Sequence, residues 1–97
     1  MKTNITNTFS ISTTFTADGG SITRTTRTDG AVKVTRRDVA GRDGRCVLTS
    51  YDVVTPSLRG SIVAGVAERF VGAAGRELGI TAAREATIRA AVEAARL

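Results

Sequence analysis

Cationic and hydroxyl side chains alternate along two neighbouring segments, residues 21–28 and 31–39. Both segments have the pattern of strands, and Asp29-Gly30 between them is typical of a hairpin turn. A three-residue loop with a bulge at Gly30 would collect three cations and three hydroxyls on one outer face. These residues are Thr23, Thr25, Arg27, Lys33, Thr35 and Arg37. Because arginine and lysine neutralise phosphates and threonine donates to phosphate oxygens, this face is a candidate nucleic-acid or partner-binding site.

The same residues allow two other interpretations. Threonine and arginine are common on solvated strand faces, where they keep a sheet soluble and oppose edge-to-edge pairing. A two-residue loop at Asp29-Gly30 would shift the register and distribute the candidate side chains over both faces. The sequence leaves these alternatives open.

Catalytic and metal-binding groups are scarce. The chain has no histidine and one cysteine, which removes ordinary zinc sites and Ser-His-Asp or Cys-His catalysis within one chain. The carboxylates of Asp38, Asp43, Asp52 and Glu68 remain, but nothing in their spacing pairs them, and aspartate is common in turns. The glycines of residues 41–44 lie between two strands and lack the helix N-terminus that binds phosphate. We expect no enzyme activity, no metal and no cofactor.

The chain changes character at Thr55-Pro56. Residues 1–55 alternate threonine with apolar residues and contain Asp-Gly turns, which predicts a β-sheet half of four strands. Short connections make these strands an antiparallel meander. Residues 56–97 are alanine-rich and predict a helical half. Together they predict one α+β domain over residues 1–97, with an antiparallel two-helix hairpin packed on one face of the sheet.

The first predicted helix begins at Thr55-Pro56, since threonine favours the N-cap and proline the first helical position. Its apolar residues recur every four positions from Leu58 to Leu78, and Gly79 is placed to end it. Thr81 would cap the second helix. Three small residues fall away from the apolar row: Ser61, Gly65 and Gly72. They predict close packing of another helix, either the second helix of the chain or that of a second subunit in a homodimer.

Compartment is indicated by what the sequence lacks. Cys46 has no partner for an internal disulfide and lies in an apolar run, which predicts a buried thiol in a reducing, intracellular compartment. Residues 1–6 have no apolar segment typical of a signal peptide, and no apolar run is long enough to cross a membrane. The prediction is a cytoplasmic protein with no membrane partner.

Charge and aromatic content narrow the expected function. The net charge of +5 attracts polyanions. With the three phenylalanines assigned to the core, Tyr51 is left for base stacking, which favours duplex or backbone contact over single-strand binding. The sequence therefore predicts a small basic, non-catalytic binding module that contacts nucleic acid or a nucleoprotein complex through its Arg/Thr-rich sheet face. The alternative is a small protein–protein inhibitor or adaptor, for example a mobile-element protein that blocks a host defence complex.

Overall fold

A computed structural model of the chain describes residues 7–97, so the prediction made for residues 1–6 lies outside the described residues. Residues 7–97 form seven strands and one helix: β1 (Asn7–Phe15), β2 (Ser21–Asp29), β3 (Val32–Ala40), β4 (Cys46–Val54), β5 (Leu58–Val63), β6 (Val66–Gly72), β7 (Glu77–Leu78) and α1 (Ala82–Ala95). Each strand pairs antiparallel with the next in the chain. The result is a seven-stranded meander with α1 on one side. No helix in this part of the chain has the length and hydropathy needed to span a bilayer.

The four strands predicted for residues 1–55 are present as β1–β4, and they follow one another as a meander. The four-stranded sheet with a two-helix hairpin is nevertheless wrong, because β5, β6 and β7 occupy the segment assigned to the first helix. The predicted boundary between a sheet half (1–55) and a helical half (56–97) is wrong for the same reason. The sheet continues to Leu78, and the helical part begins after Thr81.

Thr55 and Pro56 form a turn between β4 and β5. The Thr55 hydroxyl accepts from the backbone N–H of Leu58 at 3.0 Å and donates to the Leu58 carbonyl at 2.8 Å. The first of these bonds is the contact that an N-cap threonine makes to the third helical residue. In this chain it closes a short loop, and the backbone then returns as β5. The capping residue alone did not distinguish the two outcomes.

The apolar spacing of residues 58–70 fits a strand as well as a helix. Leu58, Ile62, Val66 and Phe70 are four apart, and four is close to the helical period of 3.6 while also being a multiple of the strand period of two. Burial in β5 alternates strictly, with Leu58, Gly60 and Ile62 inside. Glycine and β-branched residues between the apolar positions favour the strand interpretation.

The turn between β5 and β6 explains one of the glycines assigned to helix packing. Ala64 and Gly65 have φ of 51° and 82°, and Val63 pairs with Val66 across them. A two-residue turn with two positive φ angles matches the twist of the flanking strands. Ser61 and Gly72 lie within β5 and β6, so the predicted helix-packing or dimer face of Ser61, Gly65 and Gly72 is wrong.

Helix α1 begins where the sequence predicts. The Arg84 backbone N–H donates to Thr81 Oγ1 at 3.2 Å, and Glu85 lies in the first turn. Arg89 Nε forms an ion pair with Glu85 Oε2 at 2.7 Å, and Arg89 Nη2 donates to the Gly65 carbonyl at 2.7 Å. This second contact ties the middle of the helix to the β5–β6 turn.

The core lies between α1 and strands β3 to β6. Its buried apolar residues are Val34, Val53, Leu58, Ile62, Phe70, Ile88 and Ala95. Ile88 and Phe70 are fully buried, and they meet above Gly60. A Cβ atom on Gly60 would stand 2.7 Å from Ile88 Cγ1 and 2.8 Å from Phe70 Cδ1, closer than carbon atoms can approach. Gly60 is therefore the recess in the sheet that receives the helix.

Replacing Gly60 with alanine should destabilise the protein by about 1–3 kcal/mol, because the added methyl group overpacks the contact with Ile88 and Phe70. Chemical denaturation measures the loss. Gly41→Ala is the matched control: its Cβ would make an ordinary 3.5 Å contact with Asp43 Oδ1, so its stability should change by less than about 0.5 kcal/mol.

A second variant tests whether Ile88 is the opposing group. Ile88→Val removes Cδ1, which lies 2.9 Å from the added methyl position. In the Gly60→Ala background it should therefore cost less than it does alone, a coupling that a double-mutant cycle measures. Equal stability of Gly60→Ala and the wild type would contradict the packing account.

Candidate anion-binding face

The two faces of the sheet differ in their cover. Directly opposed residues of an antiparallel pair project to the same face, and neighbours along a strand alternate. We define the helix face as the side of the sheet that lies beneath α1. It carries Val34, Val53, Gly60 and Phe70, each of which is directly opposite the next on the adjacent strand from β3 to β6. The open face is the opposite side. No element within residues 7–97 covers it.

The register of the β2–β3 hairpin separates the predicted site residues. Its turn has two residues, Gly30 and Ala31, because Asp29 pairs with Val32, and Gly30 has a φ of 60°. Arg27 is consequently opposite Val34, a core residue of the helix face. The expected grouping on one face is wrong. Three of the residues are on the helix face, Thr23, Thr25 and Arg27, and three are on the open face, Lys33, Thr35 and Arg37.

The three residues on the helix face make contacts within the sheet. Thr25 is 4% exposed. Thr23 shares a hydroxyl hydrogen bond of 3.1 Å with Thr13 on β1. The guanidinium carbon of Arg27 lies 5.1 Å from the centroid of the Phe9 ring, within the range of a cation–π contact. The contacts of Thr23 and Arg27 support the pairing of β1 with β2, and the burial of Thr25 leaves it inaccessible to a ligand.

A different set of residues meets on the open face. Arg24 is directly opposite Arg37, Thr26 is opposite Thr35, and Thr28 is opposite Lys33. The hydroxyls of Thr26 and Thr35 are 3.1 Å apart and share a hydrogen bond. We call this set the β2–β3 patch: Arg24, Thr26, Thr28, Lys33, Thr35 and Arg37. Reading Asp29-Gly30-Ala31-Val32 as a two-residue turn would have found Arg24, Thr26 and Thr28 from the sequence.

The opposed arginines make the patch electrostatically unusual. Like charges directly opposite each other on paired strands destabilise the sheet. The cost is comparable to the roughly 0.2–1 kcal/mol that a favourable cross-strand pair contributes. Neither Arg24 nor Arg37 has a carboxylate within ion-pair distance among the described residues. Ser12 and Ser50 continue the same row on either side and also provide no negative charge. The two guanidinium groups are therefore positioned to share an anion from solution.

Positive charge extends beyond the patch toward β5 and β6. Arg59 and Arg69 lie on the open face, where Asp52, Arg59, Ser61 and Arg69 line a shallow groove of about 230 Å³. Arg69 is paired with Glu77 at 2.8 Å. Asp52 is opposite Thr35, so it places one carboxylate between the patch and the groove. Cations still outnumber carboxylates across the face.

The carboxylates considered for catalysis are dispersed. Asp38 is on the helix face, where Arg36 Nε donates to it at 2.9 Å and the Thr49 hydroxyl at 2.7 Å. Asp52 is on the open face, Asp43 accepts from the Arg45 backbone N–H in a loop, and Glu68 is exposed on β6. Within residues 7–97 no three His, Cys, Asp or Glu side chains form a metal-ligating group.

One carboxylate has a perturbed acidity, and its role is local. The Thr16 hydroxyl and the Gly20 backbone N–H donate to the Asp18 carboxylate, and these bonds lower the pKa of Asp18 below its ordinary value. Arg42 also donates to the Asp18 carbonyl at 3.1 Å. Because the donors belong to the β1–β2 loop, the lowered pKa reflects the structure of that loop.

Cys46 is exposed, so the prediction of a buried thiol is wrong. It opens β4 at the irregular end of the β3–β4 ladder, and its neighbour Val47 is 69% exposed. Burial in β4 begins at Ser50 and Val53, farther along the strand. A run of adjacent apolar residues does not show that each of them is buried in a strand, because neighbouring side chains project to opposite faces of the sheet.

Cys46 should therefore react with a thiol reagent in the folded protein at a rate comparable to that in denaturant, since exposure controls access to the sulfur. Absorbance of the released chromophore measures the rate. Ser50→Cys in a Cys46→Ser background is the control for a buried position in the same strand, and its labelling should be slow until the protein unfolds. A native Cys46 that resists labelling would contradict its exposed position.

Known proteins supply no template for this face. No protein-family model matches the chain, and no curated protein or solved structure matches it. The register of β2 and β3 and the charges it brings together are the basis on which a function can be inferred.

Proposed function

We propose that this chain is a non-catalytic nucleic-acid-binding protein that contacts phosphate groups through the β2–β3 patch. The observation that carries the proposal is the opposed pair Arg24 and Arg37, with no carboxylate partner and with hydroxyl groups beside it. Such a pair costs stability in the free protein. A bound phosphate would remove that cost, because it supplies the negative charge that both guanidinium groups lack.

The spacing of cations on the open face, in the β2–β3 patch and at Arg59 beside it, suits an extended polyanion. Arg37 and Lys33 are four residues apart on β3, which corresponds to about 13 Å along the strand. Arg59 lies two strands beyond Lys33, or roughly 10 Å across the sheet. Cations separated by such distances can contact several phosphates of one backbone, whereas a small anion would engage the arginine pair alone.

Aromatic placement favours backbone contact over base stacking. All four aromatic side chains, Phe9, Phe15, Tyr51 and Phe70, lie on the helix face. The open face therefore presents no ring on which an unpaired base could stack, and stacking is the usual second component of single-strand binding. Duplex nucleic acid, held by its phosphates and with little sequence preference, is the ligand class that the face fits best.

The test uses Arg24→Gln with Arg37→Gln and a duplex DNA oligonucleotide of mixed sequence. Binding measured by fluorescence anisotropy should weaken, and the slope of log affinity against log salt should fall by about 1.8, because two phosphate contacts are lost. Stability should hold or rise, since the substitution relieves the repulsion between the arginines. Opposite effects on binding and stability would identify the pair as a ligand site.

The matched control removes the same charge elsewhere. Arg76→Gln with Arg96→Gln changes two exposed arginines that lie outside the open face, in the β6–β7 loop and at the end of α1. It should retain most of the affinity. An equal loss in both double variants would mean that net charge alone attracts DNA, and an affinity that does not change with salt would contradict phosphate binding altogether. The inhibitor or adaptor alternative would then be the remaining prediction.

A further inference from the structure

Strand β1 is a long, uncharged edge of the sheet, and no element within residues 7–97 covers it. All nine of its residues are exposed, and its partner on one side is β2. The register with β2 runs without a bulge from Asn7 to Phe15. Natural edge strands are usually protected by lysine, proline, a bulge or short length, because their free N–H and C=O groups attract other strands. None of these protections is present between Asn7 and Phe15.

The same strand carries an apolar stripe that α1 does not reach. Phe9, Ile11 and Phe15 lie on the helix face and are 51%, 61% and 79% exposed. Helix α1 contacts β3, β4 and β5, and its C-terminal alanines line a pocket with Arg27 and Asp29 of β2, so β1 lies beyond its edge. An exposed apolar stripe beside free backbone groups is the surface that β-strand addition uses.

We propose that β1 pairs antiparallel with β1 of a second copy of this chain, which makes one continuous sheet across a twofold axis. The register that pairs all nine residues is centred on Ile11. On the helix face it places Ile11 beside Ile11 of the second copy and Phe9 beside Thr13. On the open face it places Ser10 beside Ser12 and Thr8 beside Thr14. Hydroxyl groups thus meet hydroxyl groups on the open face, and on the helix face the two apolar stripes meet at Ile11.

Two features of the chain favour a second copy as the occupant. First, the sheet already contains the required contact, since Thr13–Thr23 and Thr26–Thr35 are cross-strand hydroxyl pairs with hydrogen bonds of 3.1 Å. Second, β1 carries no charge although the chain has a net charge of +5, so two copies can meet there without placing like charges opposite each other.

The other edge of the sheet cannot serve in the same way. β7 is two residues long and carries Glu77, so it offers few backbone groups to a nine-residue strand. Pairing β1 with β7 would also be a head-to-tail contact that leaves edges open, whereas pairing β1 with itself is isologous and closes at a dimer.

Analytical ultracentrifugation tests the proposal through mass. The wild-type protein should sediment with twice the 10.1 kDa mass of the chain. Ile11→Lys places two ammonium groups opposite each other at the twofold axis and should weaken dimerisation by about tenfold or more. Val66→Lys is the control, because Val66 has the same 61% exposure on β6 and lies away from β1. It should leave the dimer intact.

A cross-linking experiment tests the register and does not depend on the stability of a charged variant. In a Cys46→Ser background, Ile11→Cys should give a covalent dimer with a short bis-maleimide, because opposed Cα atoms across a ladder are about 5 Å apart. Val66→Cys in the same background should give no such product. A wild-type protein that stays monomeric up to millimolar concentration would overturn the proposal, as would equal cross-linking at positions 11 and 66.

Discussion

The packing of Ile88 over Gly60 and beside Phe70 determines which part of the sheet is covered by α1 and which part faces solvent. Helix α1 consists largely of alanine, and within it Ile88 and Ala95 are the buried residues. Because Gly60 has no side chain, Ile88 and Phe70 both occupy the space above it. This packing fixes the helix over β3–β5, so these strands have a buried helix face and a solvent-exposed open face. β1, with all nine of its residues exposed, lies outside that cover.

Threonine is abundant because most of the sheet is not covered. Few strand positions reach the core, and the remainder must form a ladder while facing water. Threonine serves this purpose, since its branched Cβ suits the pleated backbone and its hydroxyl bonds either solvent or a neighbour across the strand. Hydroxyl pairs occur on both faces, at Thr13–Thr23 and Thr26–Thr35. A composition that resembles a binding surface is in part the composition of a sheet with a small core.

The sequence was informative where local chemistry decides structure. The Asp-Gly turns predicted β1–β4, and Thr81 with Glu85 predicted α1. It misled where two periods coincide, because a four-residue spacing from Leu58 to Phe70 satisfies a helix and a strand alike. The members of the candidate site depended on the number of residues in the β2–β3 turn. A three-residue turn would have placed Arg27 on the same face as Arg37, whereas the two-residue turn Gly30-Ala31 places Arg24 there. Cys46 is exposed because it lies at the irregular end of the β3–β4 ladder, and the position of that end is not encoded by the local sequence pattern.

The position of α1 after the whole sheet has a consequence for synthesis of the chain on the ribosome. Each strand can pair with the preceding one as soon as it emerges, because the meander joins neighbours in order. The helix that covers Val34, Val53 and Phe70 emerges after all seven strands. Until then the nascent sheet presents an apolar face to solvent or to other nascent chains, and transiently exposed apolar surface and strand edges promote aggregation. The time between completion of β7 and release of α1 is therefore the interval in which the chain is most prone to aggregate.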